Sequence, residues 1–261
     1  MKKASSCPDF VPLLGVSLPR LTVKDAQKQL CEYLQCEGRA AKVYTPNPQI
    51  VLGAHDSPDH ASLLARADLL LPDGTGLLLA SHLLRTPLPA RIAGIDAATY
   101  VLSVAETKGL SVALLGARHG VAARAAARLR RRFPHLRICY THHGYFDRSG
   151  KENEAVLASL RVAKPDILFV CFGFPAQEAW IDRHAAEIPS LRLCMGLGGS
   201  LDVWAGNVRR APKFIRICGL EWLWRTAREP RRARIFLDIP RFLALILRQK
   251  HANGKAVADQ I

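Results

Sequence analysis

The sequence predicts an α/β fold with a mainly parallel sheet, helices on both faces and a basic helical C-terminal appendage. Short apolar runs rich in Val, Leu and Ile alternate with Ala-rich amphipathic stretches. The turns after these runs are polar or rich in glycine, and basic residues accumulate towards the C-terminus. Regular alternation of strands and helices is typical of a parallel sheet that is buried on both faces.

The elements follow from the period of the apolar residues. Continuous apolar runs of four to six residues indicate buried strands, and apolar residues at helical spacing indicate amphipathic helices. The predicted strands span residues 41–44, 69–71, 111–115, 137–140, 167–172 and 191–195. The predicted helices span residues 59–66, 76–84, 97–108, 121–133, 152–163 and 177–186.

The composition limits the class of protein. The chain has 261 residues, of which 49% are hydrophobic and 23% charged, and this excludes a disordered, collagenous or disulfide-stapled protein. No run reaches the roughly 18 apolar residues that a membrane-spanning helix needs. We therefore expect a protein that is soluble or bound to a membrane from one side, with a core over residues 1–206 and an appendage over 207–261.

The charge is strongly positive and unevenly distributed. Lys and Arg number 37 against 22 Asp and Glu, which gives a net charge of +15. The appendage alone holds 13 basic and 4 acidic residues. A surplus of this size predicts an anionic partner.

In an open parallel sheet, ligands bind beyond the carboxyl ends of the strands. Thr45 and Asn47 follow the first predicted strand, in a turn stiffened by Pro46 and Pro48, and they present a hydroxyl and an amide. A loop with a helix cap explains the same residues without a ligand, and this alternative stays open.

The next turn carries a carboxylate, Asp73, and the one after it carries two glycines, Gly116 and Gly120. Asp73 follows the second strand and is flanked by Gly74; it either caps the next helix or serves as a general base. Gly116 opens the Gly-Ala-Arg-His-Gly turn before a helix N-terminus, which is typical of a phosphate site or simply of a tight turn.

The last two turns close the predicted ligand edge. Gln177 and Glu178 follow the strand at 167–172, and Gly198 lies in the richest glycine cluster of the chain. Glycines permit close approach of a ligand to the backbone, and Asp202 offers an acceptor for a base or ribose. Five such turns, all at strand ends, are difficult to explain by packing alone.

The appendage combines apolar residues with tryptophans and arginines. Trp222 and Trp224 stand beside Arg225, and a long apolar stretch ends at Arg248. This pattern favours a helix that lies in an anionic lipid interface. A solvated basic face and a nucleic-acid surface are the alternatives, although no nucleic-acid-binding motif is present.

Taken together, these motifs resemble the WecG/TagA/CpsF family of bacterial glycosyltransferases, glycosyltransferase family 26. The resemblance spans roughly residues 13–248 in the family's order. Its blocks are Thr45-Pro46-Asn47, Asp73-Gly74, Arg91-Ile92-Ala93-Gly94, Leu115-Gly116, Gly144-Tyr145-Phe146, Lys164-Pro165-Asp166, Pro175-Ala176-Gln177-Glu178, Asp202-Val203-Trp204-Ala205-Gly206, Arg210-Ala211-Pro212, Glu221-Trp222-Leu223-Trp224-Arg225 and Glu229-Pro230-Arg231-Arg232.

The resemblance implies a Rossmann-like, inverting hexosyltransferase on the cytoplasmic face of the bacterial plasma membrane. Its expected donor is a UDP-sugar carrying N-acetylmannosamine, the uronic acid of that sugar, or glucose. Its expected acceptor is a polyprenyl-diphosphate-linked saccharide for a surface polymer. The expected partners also include an anionic membrane surface and no nucleic acid, and a homo-oligomer stays open. A non-catalytic nucleotide- or nucleic-acid-binding protein is the alternative.

The resemblance also assigns roles to single residues. Asp73 is the expected base, Thr45 and Asn47 flank the reacting sugar, and Arg91 belongs to the donor pocket. Gln177, Glu178, Gly116, Gly198 and Asp202 complete the expected substrate-binding set, and Arg225 and Arg232 of the appendage are expected to hold diphosphate.

One position departs from the family pattern. The family usually has Lys or Arg before Gln177, whereas this chain has Ala176. If that cation touches a donor phosphate, its task falls to Arg91, Arg118 or the appendage. The chain also lacks an Asp-x-Asp motif. We therefore expect catalysis without a metal or cofactor.

Overall fold

The computed structural model describes residues 10–212, 214–215, 218–228 and 235–258. Its strands are β1 Phe10–Leu13, β2 Val16–Pro19, β3 Ala41–Tyr44, β4 Leu69–Leu70, β5 Ser111–Gly116, β6 Arg137–His142, β7 Ile167–Cys171 and β8 Leu193–Gly196. Its helices are α1 Val23–Tyr33, α2 Pro48–Asp56, α3 Pro58–Ala65, α4 Thr75–Leu83, α5 Gly94–Lys108, α6 Val121–Arg132, α7 Lys151–Ala163, α8 Ala176–His184, α9 Ser200–Trp204, α10 Glu221–Arg228 and α11 Ile235–Ala258.

A parallel sheet forms the centre of the fold. Within the described residues it has six strands in the order β4–β3–β8–β7–β5–β6. Every neighbouring pair in it is parallel, whereas β1 and β2 form a separate antiparallel hairpin. The predicted α/β class is confirmed, and each predicted strand and helix overlaps an observed one.

Helices cover both faces of the sheet because successive strand side chains point to opposite sides. In β7, Phe169 belongs to an apolar cluster that includes residues of α1, α5, α6 and α9. Its neighbour Val170 belongs to a second cluster, which includes residues of α2, α3, α4, α7, α8 and α11. Burial on both faces explains why the central strands are apolar throughout.

The part of the appendage that the structure describes is mainly helical and packs onto the core. Phe242 and Ile246 of α11 are buried in the same apolar cluster as Val170. The Gln249 amide also donates to the Pro12 carbonyl at 2.9 Å and accepts from the Leu14 amide at 3.1 Å. The division at residues 206 and 207 stays a prediction, but removal of the whole appendage would expose part of the core.

The topology opens a crevice at the carboxyl edge of the sheet. β3 leads into α2 on one face, whereas its neighbour β8 leads into α9 on the other. Adjacent strands that lead to opposite faces leave space between their following loops, and ligands bind there in this class of fold. The loops after β3 and β8 are two of the five turns that the sequence singled out.

Candidate active site

The five predicted turns lie side by side along the carboxyl edge. In spatial order they follow β4, β3, β8, β7 and β5, and they carry Asp73, Thr45, Gly198, Gln177 and Gly116 in turn. Neighbouring strands lie about 4.8 Å apart, so the first and last of these loops are separated by about 19 Å. We call the space along this row of loops the cleft; Asp73 lies at one end of the row and Gly116 at the other.

Thr45 lies where the loops after β3 and β8 meet. Its hydroxyl donates to the Gly196 carbonyl at 3.1 Å, which fixes the side chain across the crevice. Gly94 packs against it so closely that a Cβ there would lie 2.8 Å from Thr45 Cγ2. The Thr45 side chain is therefore held between the end of β8 and the start of α5.

Asn47 caps α2 and still has a free donor. Its Oδ1 accepts from the backbone amides of Gln49 at 2.9 Å and Ile50 at 3.0 Å. Capping orients the side-chain amide, and Nδ2 has no hydrogen-bond partner among the described residues. The structural and the ligand-binding interpretations of Asn47 are therefore compatible with each other.

Asp73 is a constrained carboxylate at the end of the cleft. Its Oδ1 accepts from Arg91 Nε at 3.1 Å and its Oδ2 from the Gly94 amide at 3.4 Å. Burial raises the pKa of the Asp73 carboxyl above its ordinary value, although Arg91 and the Gly94 amide act in the opposite direction. The side chain remains 31% exposed, so a substrate hydroxyl can reach it.

Arg91 links Asp73 to the appendage. Its terminal nitrogen donates to Glu221 Oε2 at 2.7 Å, at the start of α10. On the other side of Glu221, Arg210 Nε donates to Glu221 Oε1 at 3.4 Å. The two terminal nitrogens of Arg210 donate to the two carboxylate oxygens of Asp96, at 2.5 and 3.0 Å. A cavity of about 460 Å³ lies beside these charges, against the apolar side of α1.

A second contact places the appendage on the Asp73 loop. The Thr75 hydroxyl, two residues after Asp73, donates to the Gly219 carbonyl at 2.9 Å. Gly219 has a φ of +75°, and a Cβ there would lie 2.4 Å from Thr75 Cγ2. Only glycine fits this approach without a shift of the backbone.

Gln177 and Glu178 form the floor of the cleft between the loops after β7 and β8. Gln177 Oε1 accepts from the amides of Gly173 at 3.1 Å and Gly198 at 2.9 Å, and its Nε2 donates to Glu178 Oε1 at 2.9 Å. Both side chains are buried. They shape the loops here, and direct contact of either with substrate stays a prediction.

The remaining predicted residues lie further along the cleft or outside the described part. Gly116 is buried, and a Cβ there would lie 2.5 Å from the Cys171 carbonyl oxygen, so packing alone requires glycine. Asp202 on α9 accepts from the Asn207 side chain at 3.0 Å. Arg232 lies outside the described residues, as does the side chain of Arg225.

Comparison with known proteins identifies the family of this chain. The family model described as "Glycosyl transferase WecG/TagA/CpsF family" matches residues 11–256. The chain belongs to the WecG/TagA/CpsF family.

Curated relatives of this WecG/TagA/CpsF glycosyltransferase carry a common name. A protein of Bacillus spizizenii W23 is 36% identical over 219 residues, which are 84% of this chain and 83% of the relative. One of Staphylococcus aureus MW2 is 37% identical over 247 residues, 94% of this chain and 95% of the relative. Both are named N-acetylglucosaminyldiphosphoundecaprenol N-acetyl-beta-D-mannosaminyltransferase. The predictions of the family and of a glycosyltransferase are confirmed, and the non-catalytic alternative has no support.

Several features of this WecG/TagA/CpsF glycosyltransferase were not found from its sequence. The rings of His119 and His143 lie with centroids 3.5 Å apart and tilted by 36°, and the rings of His142 and His143 stack at 4.2 Å, near the carboxyl ends of β5 and β6. Burial, with the neighbouring His142 and His119, lowers the pKa of His143. Among the described residues, no group of three or more His, Cys, Asp or Glu side chains is arranged to hold a metal.

The buried Glu178 makes this WecG/TagA/CpsF glycosyltransferase sensitive to pH. Burial raises its pKa to about 7, and Glu178 Oε2 has no hydrogen-bond partner among the described residues. A carboxyl whose pKa is raised on folding stabilises the protein at low pH, and this stabilisation is lost as pH rises towards 7. Ionised Glu178 is therefore a cost to stability at pH 8.

Glu178→Gln is expected to remove that cost, because glutamine resembles the protonated acid at every pH. Relative to wild type, the free energy of unfolding of the variant should increase by about 2 kcal/mol between pH 5 and pH 8. Urea denaturation at the two pH values measures it. Glu154→Gln, at an exposed site on α7, is the matched control and should show no such change. A constant difference between wild type and Glu178→Gln would contradict the assignment.

Proposed function

We propose that the chain transfers N-acetylmannosamine from its UDP-sugar to a saccharide linked to polyprenyl diphosphate, with inversion at the anomeric carbon. The names of the two relatives support the transferred sugar and the acceptor, and this chain covers 83% and 95% of their lengths. The observation that carries the chemistry is Asp73, a carboxylate held by Arg91 and the Gly94 amide at an open end of the cleft.

In the proposed reaction, Asp73 accepts the proton of an acceptor hydroxyl. The hydroxyl oxygen forms a bond to the anomeric carbon of the donor as the bond from that carbon to the UDP oxygen breaks. UDP leaves with the electron pair of that bond. One base and one displacement give inversion, and burial raises the pKa of Asp73 above its ordinary value, which makes this carboxylate a stronger base than an exposed aspartate.

The other residues of the cleft position the sugar and its leaving group. Thr45 and Asn47 lie on the loop beside Asp73, whose backbone amide donates to the Pro46 carbonyl at 2.8 Å, and we assign to these two side chains the contacts with the reacting sugar. Positively charged side chains beside the departing diphosphate stabilise its negative charge and so lower the barrier to cleavage. We assign this charge to Arg118 and to Arg225 and Arg232 of the appendage. Gly116 and Asp202 at the distant end are assigned to the nucleotide.

We further propose that the appendage rests on an anionic membrane surface, where a lipid-linked acceptor is found. Of the helices that the structure describes, none is long and apolar enough to cross a membrane. Apolar side chains of the appendage are nevertheless exposed: Phe214, Leu220, Leu223, Phe236 and Leu237. Apolar side chains among arginines are suited to the interface between headgroups and lipid chains.

A transfer assay with full-length protein tests this function. The acceptor is N-acetylglucosamine linked through diphosphate to a short polyprenyl chain, and the donors are UDP-N-acetylmannosamine, its uronic acid, and UDP-glucose. We expect a disaccharide product, detected by mass, with UDP-N-acetylmannosamine above the other donors. Binding of UDP without transfer from any of the three donors would contradict the proposal.

A further inference from the structure

Glu221 lies in the middle of a row of charged side chains that ends at Asp73. The row runs Asp73, Arg91, Glu221, Arg210 and Asp96, with closest nitrogen–oxygen distances of 3.1, 2.7, 3.4 and 2.5 Å. Glu221 is only 13% exposed, whereas Asp96 at the far end is 56% exposed. The shorter contact of Arg91 is with Glu221, at 2.7 Å, and the longer one is with Asp73, at 3.1 Å.

The geometry gives Arg91 two anchors. Its Nε points to Asp73, and its terminal nitrogen points to Glu221, so the guanidinium plane is held from both ends. Burial alone would raise the pKa of Glu221, but Arg91 and Arg210 outweigh it and hold this pKa below its ordinary value. Glu221 is consequently ionised and available as a fixed anchor wherever Asp73 can work as a base.

Arg210 and Asp96 complete the support of Glu221. Arg210 contacts the second oxygen of Glu221, and Asp96 in the first turn of α5 holds Arg210 in turn. A carboxylate that accepts from two guanidinium groups has little rotational freedom. A substitution of Glu221 should therefore change the position of the Arg91 guanidinium, and with it the hydrogen bond from Arg91 Nε to Asp73 Oδ1.

We propose that Glu221 is a positioning residue for the transfer reaction, which fixes the Arg91 guanidinium against Asp73. This inference rests on the proposed function, because Asp73 is the base of that reaction. Glu221 acts through Arg91 and touches no substrate. The role assigns to the appendage a direct effect on proton transfer, in addition to any contact with the membrane.

Two substitutions at this position have opposite expected effects on pH dependence. In Glu221→Ala, Arg91 loses its anchor and moves off Asp73. Arg91 lowers the pKa of Asp73 more than the charge of Glu221 raises it, so the net effect is a rise, and the acid limb of the kcat profile moves to higher pH. In Glu221→Gln, the amide oxygen still accepts from Arg91 while a neighbouring negative charge is gone. The acid limb then moves to lower pH, since Glu221 itself raises the pKa of Asp73.

The two substitutions should also differ in their effect on kcat. We expect kcat of Glu221→Ala to fall by about 10- to 100-fold, the usual effect of losing a charge-assisted hydrogen bond. Glu221→Gln should recover most of this loss, and KM for the donor should change little in either variant. Arg91 and Glu221 are the charged side chains that act on Asp73 within the described residues, and Arg210 and Asp96 lie beyond Glu221 in the same row.

Asp56→Asn is the matched control. Asp56 on α2 accepts from both terminal nitrogens of Arg241 on α11 at 2.7 Å, so it also joins core and appendage, but through a pair separate from Arg91. Its pH profile should equal that of wild type. If Glu221→Ala fails to fold, as judged by its melting curve, the test rests on Glu221→Gln. A shift of its acid limb to lower pH then supports the role of Glu221, and an unchanged limb contradicts it.

The outcomes separate the two proposals. A wild-type protein that transfers no sugar overturns the proposed function. A wild-type protein that transfers sugar, with Glu221 variants whose acid limbs stay in place or move in the same direction, overturns only the role of Glu221. Opposite shifts, with the control unchanged, support it.

Discussion

Asp73→Asn is expected to lower turnover by about 10²-fold or more while the fold and the affinity for UDP are retained. Asparagine preserves the shape of the side chain and can still accept from Arg91 or the Gly94 amide. It cannot take a proton from the acceptor hydroxyl, so the loss should appear in kcat and much less in the binding of the nucleotide. Initial rates of transfer and UDP calorimetry measure the two quantities.

The pH profile of the wild type extends this prediction. Because burial raises the pKa of Asp73, turnover should increase as pH rises through a value above that of an ordinary aspartate. The variant should lack this acid limb. Asp147→Asn, in the exposed loop before α7, is the matched control and should retain both rate and profile. Turnover near the wild-type value in Asp73→Asn would remove Asp73 from the mechanism.

The double substitution Phe236→Asp with Leu237→Asp is expected to weaken binding to anionic vesicles by about 10²-fold. The two side chains are 50% and 75% exposed at the start of α11, and the Phe236 ring also contacts Trp222, with centroids 6.0 Å apart. Full burial of such a side chain contributes about 1.5–3 kcal/mol. Scaled by their exposed fractions, the two side chains together contribute about 2–4 kcal/mol to insertion, which corresponds to a factor on the order of 10². Sedimentation with vesicles of phosphatidylglycerol and phosphatidylcholine measures it.

Two controls distinguish apolar insertion from charge attraction. Val162→Asp replaces another strongly exposed apolar residue, on α7 outside the appendage, and should bind as the wild type does. Higher salt should weaken binding of both wild type and double variant, because the appendage arginines contribute electrostatically. Unchanged sedimentation of the double variant would show that α11 does not face the membrane.

The sequence was most informative about the central sheet. Strand β7 could be predicted because an unbroken apolar run bounded by Asp166 and Gly173 is typical of a strand buried on both faces. Helix α2 was not predicted, since Pro46 and Pro48 indicate a stiff turn; Pro48 in fact occupies the first position of the helix, where its missing N–H has no cost. The hairpin of β1 and β2 was also missed, because Pro12 and Pro19 obscure its alternation.

The site could be predicted as a set of loops but not as a set of contacts. Position after a parallel strand placed Thr45, Asn47 and Asp73 along one edge, and they do lie on neighbouring loops. The pair of Arg91 and Glu221 joins residues 130 positions apart, and no local pattern indicates such a contact. Equally, nothing local shows that Gln177 faces the loop amides and not the open cleft.

In the appendage, composition predicted an exposed helix but not the buried face that the structure shows. Its basic and apolar composition predicted a helical segment at a surface, and Phe236 and Leu237 are exposed accordingly. The same helix buries Phe242 and Ile246, four residues apart, which is the spacing of one helical face. Composition alone does not separate these two faces, and the packing of α11 on α2 and α4 decides between them.

The most direct test of the central claim is the configuration of the new glycosidic bond. If Asp73 deprotonates the acceptor in a single displacement, the anomeric carbon of the product should have the configuration opposite to that of the donor. NMR coupling constants of the disaccharide product, collected early in the reaction, report this configuration. A product that keeps the donor's configuration would require two displacements and would contradict the mechanism derived from this cleft.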